Sequence, residues 1–261
     1  EAHGIRGARW LLIGGGVIFP VVVLTGLLIY GLMLMPQQRS SENVALRVDV
    51  SGEQWWWRVR YRTEAGEAVE LANEIRLPVG ERVAFSLTSP DVIHSFWIPS
   101  LGGKVDMIPG RTNELVLEPT ETGTFRGACA EYCGTSHALM NFAAVVMTRE
   151  AFDLWLAKQA EPAQPPTTEL QQTGQQAFLA NGCGACHQVR GTEADGTVGP
   201  DLTHVGSRLT LAAGTLPTDV DTFKRWIGHS GAIKPGVKMP AFGMLPEAQL
   251  NAMAHYLKGL E

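Results

Sequence analysis

The sequence has few cysteines, no stripe of basic residues and no internal repeat. Only four cysteines occur among 261 residues, and they form two pairs with short, different spacings. The lack of a basic stripe excludes nucleic acid as an expected partner. The lack of repeats argues against a propeller. A hydrophobic fraction of 45% is typical of folded protein, so the chain is not disordered as a whole.

Formal charges are absent from Trp10 to Met35, a run of 26 residues. As a helix this run would reach about 39 Å at ~1.5 Å per residue, enough to cross a ~30 Å hydrocarbon core with tilt. A secretory signal has a shorter apolar stretch of about 7–15 residues. Residues 1–39 are therefore predicted to be a transmembrane anchor in a lipid bilayer. Arg6 and Arg9 precede the run, which predicts a cytoplasmic N-terminus and periplasmic domains on a bacterial inner membrane.

Residues 40–160 show the alternation of apolar and polar side chains that is typical of strands, with turn residues between the segments. Several short strands at this spacing predict an all-β sandwich or barrel. The region has a net charge of −5, which suits a basic protein partner. The clearest segments are Leu46–Val50, Trp57–Tyr61, Arg82–Leu87 and Glu114–Glu118.

The pattern changes after a short predicted helix at Ala151–Ala160. Residues 161–169 are rich in proline and predict an extended linker. Residues 170–261 then show helical periods with long glycine-rich loops, as expected of an all-α domain around a large cofactor. The predicted helices are Glu169–Ala180, Asp219–His229 and Pro246–Leu260.

The first cysteine pair lies in a segment rich in soft metal donors. Cys129-Ala-Glu-Tyr-Cys133 is followed by His137 and Met140, and His94 lies 35 residues before Cys129. Two thiolates, imidazoles and a thioether favour copper over zinc. A single blue-copper site uses one cysteine, so the second thiolate indicates either a disulfide or a pair of coppers bridged by both sulfurs.

The second pair lies in Cys183-Gly-Ala-Cys186-His187, the attachment pattern of c-type haem. A thioredoxin-like redox pair would need a βαβ context, and zinc would need two further ligands. His187 is the expected proximal iron ligand. Met239 is the favoured sixth ligand, ahead of the alternatives Met244, His204 and His229.

The segment Cys129-Ala-Glu131-Tyr-Cys133-Gly-Thr-Ser-His137-Ala-Leu-Met140 closely resembles the CuA loop of cytochrome c oxidase subunit II, and the resemblance covers about residues 10–155. It implies a cupredoxin-like sandwich in which Cys129 and Cys133 bridge two coppers. His94 and Met140 would bind one copper. His137 and the Glu131 carbonyl would bind the other, and the Glu131 side chain would bind a Mg²⁺ shared with subunit I.

Three consecutive tryptophans, Trp55, Trp56 and Trp57, correspond to the aromatic patch through which that family receives electrons. In a strand Trp55 and Trp57 would share one face and Trp56 the other. Core packing explains one face equally well, so all three stay candidates.

Residues 170–261 resemble a class I cytochrome c, with Met239 in its distal Met-Pro loop. That resemblance implies that Arg208 and Trp226 contact the haem propionates. The thioether ligand favours reduced iron and so suits donation to copper.

A copper domain followed by a cytochrome c domain resembles subunit II of a caa-type cytochrome c oxidase. This resemblance implies a route from a soluble cytochrome c or upstream complex through haem c and CuA to subunit I, beside subunit III. There O₂ would be reduced to water with proton pumping. Alternatives are the CuA subunit of a nitric oxide reductase and a membrane-tethered electron carrier.

Overall fold

The computed structural model describes residues 2–39, 43–62 and 68–261. The chain divides into two compact units, Glu1–Glu42 and Asn43–Glu261. Within the described residues one helix, Arg6–Met35, is long and apolar enough to cross a membrane, with a mean hydropathy of 2.5. This agrees with the predicted anchor.

The first unit is helical throughout its described residues but not uniformly wound. A π-helical segment, Leu11–Ile18, separates α1 (Ala2–Trp10) from α2 (Phe19–Arg39). The wider turns end just before Pro20, which lacks an N–H and whose ring crowds the preceding turn.

The second unit begins with two five-stranded sheets. Their strands are β1 (Leu46–Glu53), β2 (Trp56–Arg62), β3 (Ala68–Ala72), β4 (Glu74–Pro78), β5 (Val83–Thr88), β6 (His94–Trp97), β7 (Val105–Met107), β8 (Asn113–Leu117), β9 (Gly123–Cys129) and β10 (Asn141–Met147). The strand orders are β3-β2-β1-β5-β8 and β4-β10-β9-β6-β7. All four predicted strand segments are present, and the predicted sandwich is confirmed.

Aromatic rings fill the space between the sheets. The Trp57 ring lies with its centroid 5.8 Å from that of Phe96 and 5.2 Å from that of Phe142, and the last two rings stack at 5.0 Å. These edge and offset contacts stabilise the core beyond the burial of apolar area. The rings therefore pack β2 of one sheet against β6 and β10 of the other.

The rest of the second unit is helical, with one exception to the all-α prediction. A hairpin of two short strands, β11 (Thr210–Leu211) and β12 (Leu216–Pro217), interrupts it. The second predicted helix continues beyond its expected end, although His229 has a non-helical backbone. The helices are α3 (Arg149–Ala160), which follows β10, then α4 (Glu169–Ala180), α5 (Val220–Ile233) and α6 (Glu247–Gly259).

The proline-rich connector has no regular structure but is hydrogen-bonded to residues 170–261, called the helical region below. His204 Nε2 lies 3.0 Å from the Glu161 carbonyl, and just before the connector the Arg190 guanidinium donates to the Gln159 carbonyl in α3 at 2.6 Å. The Ala163 N–H donates to the Arg190 carbonyl at 2.9 Å. The domain boundary at residues 161–169 stays a prediction, because the sandwich and the helical region lie in one compact unit.

Helices α4 and α6 approach most closely at Gly174. A Cβ there would lie 2.0 Å from the Ala252 carbonyl oxygen. Nearby, the rings of Phe178 and Tyr256 pack edge to face with centroids 5.8 Å apart. The small residue lets the two backbones touch.

Gly174→Ala should therefore destabilise the helical region by about 1–3 kcal/mol, because a rigid backbone has to move. Thermal unfolding followed by haem absorbance measures this. Gly231→Ala in α5 is the matched control, since a Cβ at this position meets nothing within 4 Å. Equal midpoints for the two variants would contradict the close approach.

Candidate copper and haem sites

Four elements bring the predicted copper ligands together. His94 begins β6, and Cys129 ends β9, which pairs with β6 through Phe96 and Cys129. The loop after β9 carries Cys133 and ends in a short 3₁₀ turn, His137–Leu139. The Cys129 N–H donates to the Met140 carbonyl at 3.0 Å and closes this loop on itself.

The donor atoms converge on one buried centre. Cys129 Sγ lies 3.7 Å from Cys133 Sγ and 3.9 Å from His94 Nδ1. Cys133 Sγ lies 3.5 Å from His137 Nδ1 and 3.8 Å from Met140 Sδ. Both cysteines are free thiols and both are buried. The donor set is soft and close enough to surround a metal centre, so it fits copper.

The carbonyl of Glu131 completes this donor set. Its oxygen lies 3.2 Å from Cys129 Sγ. The carboxylate of the same residue points elsewhere, since Oε1 accepts the Tyr132 N–H at 3.2 Å and the side chain is exposed. One residue thus offers a backbone oxygen to the buried centre and a carboxylate to the surface.

A carboxylate that sequence reasoning missed orients His94. Asp91 Oδ1 lies 2.9 Å from His94 Nε2 and leaves Nδ1 facing the thiols. Burial tends to raise the pKa of Asp91, but hydrogen bonds from His94 and from the N–H groups of Gln54 and Val92 lower it. An ionised partner on the far nitrogen fixes the tautomer that a metal requires.

The two buried thiols influence each other's titration. A hydrogen bond from Cys133 lowers the pKa of Cys129, and the same contact together with burial raises the pKa of Cys133. A bound cation would favour both thiolates by displacing the remaining proton. The pair is therefore suited to a metal that both sulfurs share.

The haem-attachment motif lies on a 3₁₀ turn, Cys183–Ala185, directly after α4. His187 Nδ1 lies 2.8 Å from the Pro200 carbonyl, which leaves Nε2 to bind iron. Burial lowers the pKa of His187 and so favours the neutral imidazole. A Cβ on Gly199 would lie 2.6 Å from the His187 ring, so the glycine allows this close approach. These features fit a proximal haem ligand.

The other predicted haem residues occupy distinct environments. Met239 packs against the helical core, and its carbonyl accepts the Ser230 hydroxyl at 2.9 Å. Met244 is 77% exposed. Among the described residues the buried Nε of Arg208 has no hydrogen-bond partner, which leaves a donor for a propionate. Trp226 is half-buried on α5.

The three tryptophans differ sharply in what they touch. Trp57 is fully buried in the sandwich core, and Trp56 is half-buried beneath the Arg58 guanidinium, 4.6 Å from its ring centroid. Trp55 is buried against the loop of residues 129–140, called the copper loop below. Its Nε1 donates to the Cys133 carbonyl at 3.0 Å. Trp55 lies in the turn before β2, so the strand alternation that would give it a shared face with Trp57 does not apply to it.

The helical region contacts the copper loop through residues that belong to no sequence motif. Lys234 is buried and donates to the carbonyls of Trp55 and Leu139. Burial lowers the pKa of Lys234 to about 7, and the nearby Cys133 opposes this. The Ser136 hydroxyl donates to the Pro235 carbonyl at 2.6 Å. Lys234, five residues before Met239, thus bonds the helical region to the copper loop.

Comparison with known proteins gives consistent results for both regions. The family models for cytochrome C oxidase subunit II, periplasmic domain, and for cytochrome c match residues 63–147 and 171–261. The cytochrome c oxidase subunit 2 of Alkalihalophilus pseudofirmus is 39% identical over 214 residues, or 82% of this chain and 61% of that protein. Its counterpart in Bacillus subtilis is 34% identical over 256 residues, or 94% of this chain and 70% of that protein.

A solved structure is similar to part of the chain. The periplasmic domain of subunit II of cytochrome oxidase from Bradyrhizobium japonicum is 32% identical, covers 46% of this chain and 96% of that one, and gives a TM-score of 0.43. The chain spans about three fifths of the length of the A. pseudofirmus relative.

Proposed function

Because this chain belongs to the cytochrome c oxidase subunit 2 family, we propose that it is the electron-transfer subunit of a haem-copper oxidase. The cytochrome c region indicates haem c, and the family implies CuA. The observation that carries the proposal is the convergence of two thiols, two imidazoles, a thioether and a carbonyl on one buried centre.

The pairing of the end ligands is proposed from the family resemblance, and the bridging role of the two sulfurs from their contacts. Cys129 and Cys133 are proposed to bridge two coppers, because each sulfur faces the other and a different imidazole. His94 and Met140 would complete one shell. His137 and the Glu131 carbonyl would complete the other. When bound, the copper pair and the haem would supply one-electron chemistry. The rigid sandwich and Asp91 would keep the copper-ligand atoms in place during electron transfer.

The haem ligands are assigned in the same way. Cys183 and Cys186 would hold the haem covalently, with His187 as proximal ligand. Met239 is favoured as the sixth ligand because it packs on the helical core, whereas Met244 is largely exposed. Arg208 and Trp226 would line the propionates. The buried, unpartnered Nε of Arg208 supports the first of these two roles.

Trp55 is the favoured residue for receiving electrons from the helical region. It touches both sides: its indole is bonded to the Cys133 carbonyl, and a Cβ on Gly236 of the helical region would lie 2.8 Å from its ring. Trp57 is fully buried in the sandwich core, and Trp56 stacks on Arg58 instead.

Trp55→Phe should slow electron transfer from the helical region to the copper loop several-fold while copper content stays unchanged, because the indole N–H bond to the loop is lost. Flash-initiated transient absorption measures the rate. Trp56→Phe is the matched control and should leave it unchanged. Equal rates in the wild type and Trp55→Phe would refute the role.

The exposed side of the copper loop is proposed as a contact surface for partner subunits. Tyr132 is 74% exposed beside the Glu131 carboxylate, and Lys104 Nζ donates to the Ala130 carbonyl at 3.3 Å. This surface would face subunit I. Mg²⁺ prefers six oxygen ligands, so Glu131 would share it with water and with ligands from that subunit. Subunit III and a soluble cytochrome c or upstream complex are proposed as the other partners.

Mass spectrometry of the proteins that co-purify with the full chain from its native membrane tests this function. A haem-copper oxidase subunit I is the expected partner. The large subunit of a nitric oxide reductase would support that enzyme instead, and purification alone would support a tethered carrier. Protease treatment of intact cells and of inverted vesicles tests the proposed periplasmic orientation.

A further inference from the structure

Lys234 places a buried charge where the helical region meets the sandwich. Its side chain is 2% exposed, and Nζ donates to the carbonyls of Trp55 at 2.6 Å, Leu139 at 2.9 Å and Ala212 at 3.0 Å. An ammonium has three N–H donors and a neutral amine has two, so three acceptors match the charged form. Two acceptors belong to the sandwich and one to the helical region. A buried cation is costly unless it is fully bonded, and here it is.

The turn of the β11–β12 hairpin supplies the third acceptor from an unfavourable backbone conformation. Ala212 and Ala213 have φ values of 51° and 60°, followed by Gly214 at 76°. Non-glycine residues rarely adopt this left-handed region because Cβ crowds the carbonyl. In this conformation the Ala212 carbonyl accepts from Lys234, and the Ala213 carbonyl accepts the N–H of Asn141 in β10 at 3.0 Å. The strained turn therefore directs two consecutive carbonyls into the interface.

Two glycines show how tightly this interface is packed. A Cβ on Gly236 would lie 2.8 Å from the Trp55 ring, and a Cβ on Gly214 would lie 2.8 Å from Asn141 Cβ. The contacts follow the copper loop from Ser136 to Asn141. Trp55 is 7% exposed as a result.

We infer that Lys234 and the turn Ala212–Gly214 form an interdomain latch that holds the haem-binding region against the copper loop with Trp55 enclosed. The inference rests on the proposed function, and within it Lys234 is a positioning residue. A region tethered only by the connector would need neither a buried cation nor a strained turn. With Trp55 covered, an external donor has to deliver its electron to the helical region.

Hydrogen exchange in the full chain, loaded with copper and haem in detergent, tests the latch. The N–H of Asn141 is the reporter because its acceptor belongs to the helical region. In Lys234→Met it should exchange about tenfold faster or more, since the three bonds from the ammonium are lost, the Trp55 carbonyl among them, and the interface opens. The N–H of Ala143, bonded to the Asn73 carbonyl within the sandwich at 3.1 Å, should be unchanged.

Lys238→Met is the matched control on the same loop. That lysine is 73% exposed and lies 4.0 Å from Asp91, so its loss should leave Asn141 exchange within about twofold of the wild type. If Lys234→Met does not fold, Gly214→Ala opens the same interface with a methyl group and should give the same local acceleration.

Metal and haem spectra of the same samples separate the two proposals. The latch alone would be overturned if Lys234→Met showed normal copper and haem spectra and unchanged Asn141 exchange. Gly214→Ala takes its place in this test if Lys234→Met does not fold. Wild-type protein that binds neither group would overturn the proposed function. Faster exchange together with slower electron transfer between the regions, at unchanged spectra, is the expected result.

Discussion

Cys133→Ser should remove the dinuclear copper centre and reduce the turnover of the assembled oxidase to background. Cys133 Sγ lies within 3.8 Å of the donor atoms of Cys129, His137 and Met140, so its loss affects both proposed copper shells. A serine hydroxyl does not ionise near neutral pH and is a hard donor, so it cannot bridge two coppers as a thiolate does. Copper analysis and the near-infrared absorption of the oxidised protein measure the loss.

The matched control for this variant is Thr135→Ala, an exposed position in the same loop. It should keep the full copper content and normal turnover. If Cys133→Ser kept two coppers per chain, the bridging role of this sulfur would be wrong.

Met239→Leu should convert the haem from low-spin to high-spin, or move its sixth bond to another group, while the haem stays attached. The proposed covalent bonds to Cys183 and Cys186 do not involve Met239, so haem content should not change. Losing a thioether ligand also lowers the reduction potential, because the thioether favours Fe(II). Optical spectra and a redox titration of the full chain measure both effects.

Met244→Leu makes the same exchange at a methionine that is 77% exposed in a nearby loop. Its spectrum should match that of the wild type. A low-spin spectrum that is unchanged in Met239→Leu but lost in Met244→Leu would reverse the assignment.

Local features of the chain were predictable from sequence because their signals are local. The alternation from Leu46 to Val50 defines a strand with one buried face, and the structure confirms it. The cysteine motifs concentrate most donors within a few residues. Of the predicted copper donors only His94 lies far away in sequence, and it is the pairing of β6 with β9 that brings it beside Cys129.

Long-range contacts were not predictable, since nothing in the neighbouring sequence signals them. Lys234 lies between isoleucine and proline in a glycine-rich stretch and looks like an ordinary surface lysine, but packing buries it. Ala212 and Ala213 carry no turn signal, because alanine disfavours the left-handed backbone that they adopt. Asp91 lies three residues before His94, and this spacing was the one available sign that it orients the imidazole.

The packing between the regions changes how the connector is understood. The proline-rich sequence predicts an extended linker that raises the effective concentration of the haem region. The structure adds bonds from the connector to Arg190 and His204 and from Lys234 to the copper loop. The described geometry is one in which electron transfer needs no diffusive search.

Electron paramagnetic resonance of the full chain, with its copper content measured on the same sample, tests the central claim most directly. The account predicts two coppers per chain and a mixed-valence, seven-line signal from one unpaired electron shared by both nuclei, beside a low-spin haem. A four-line signal from a single copper, at one copper per chain, would contradict it.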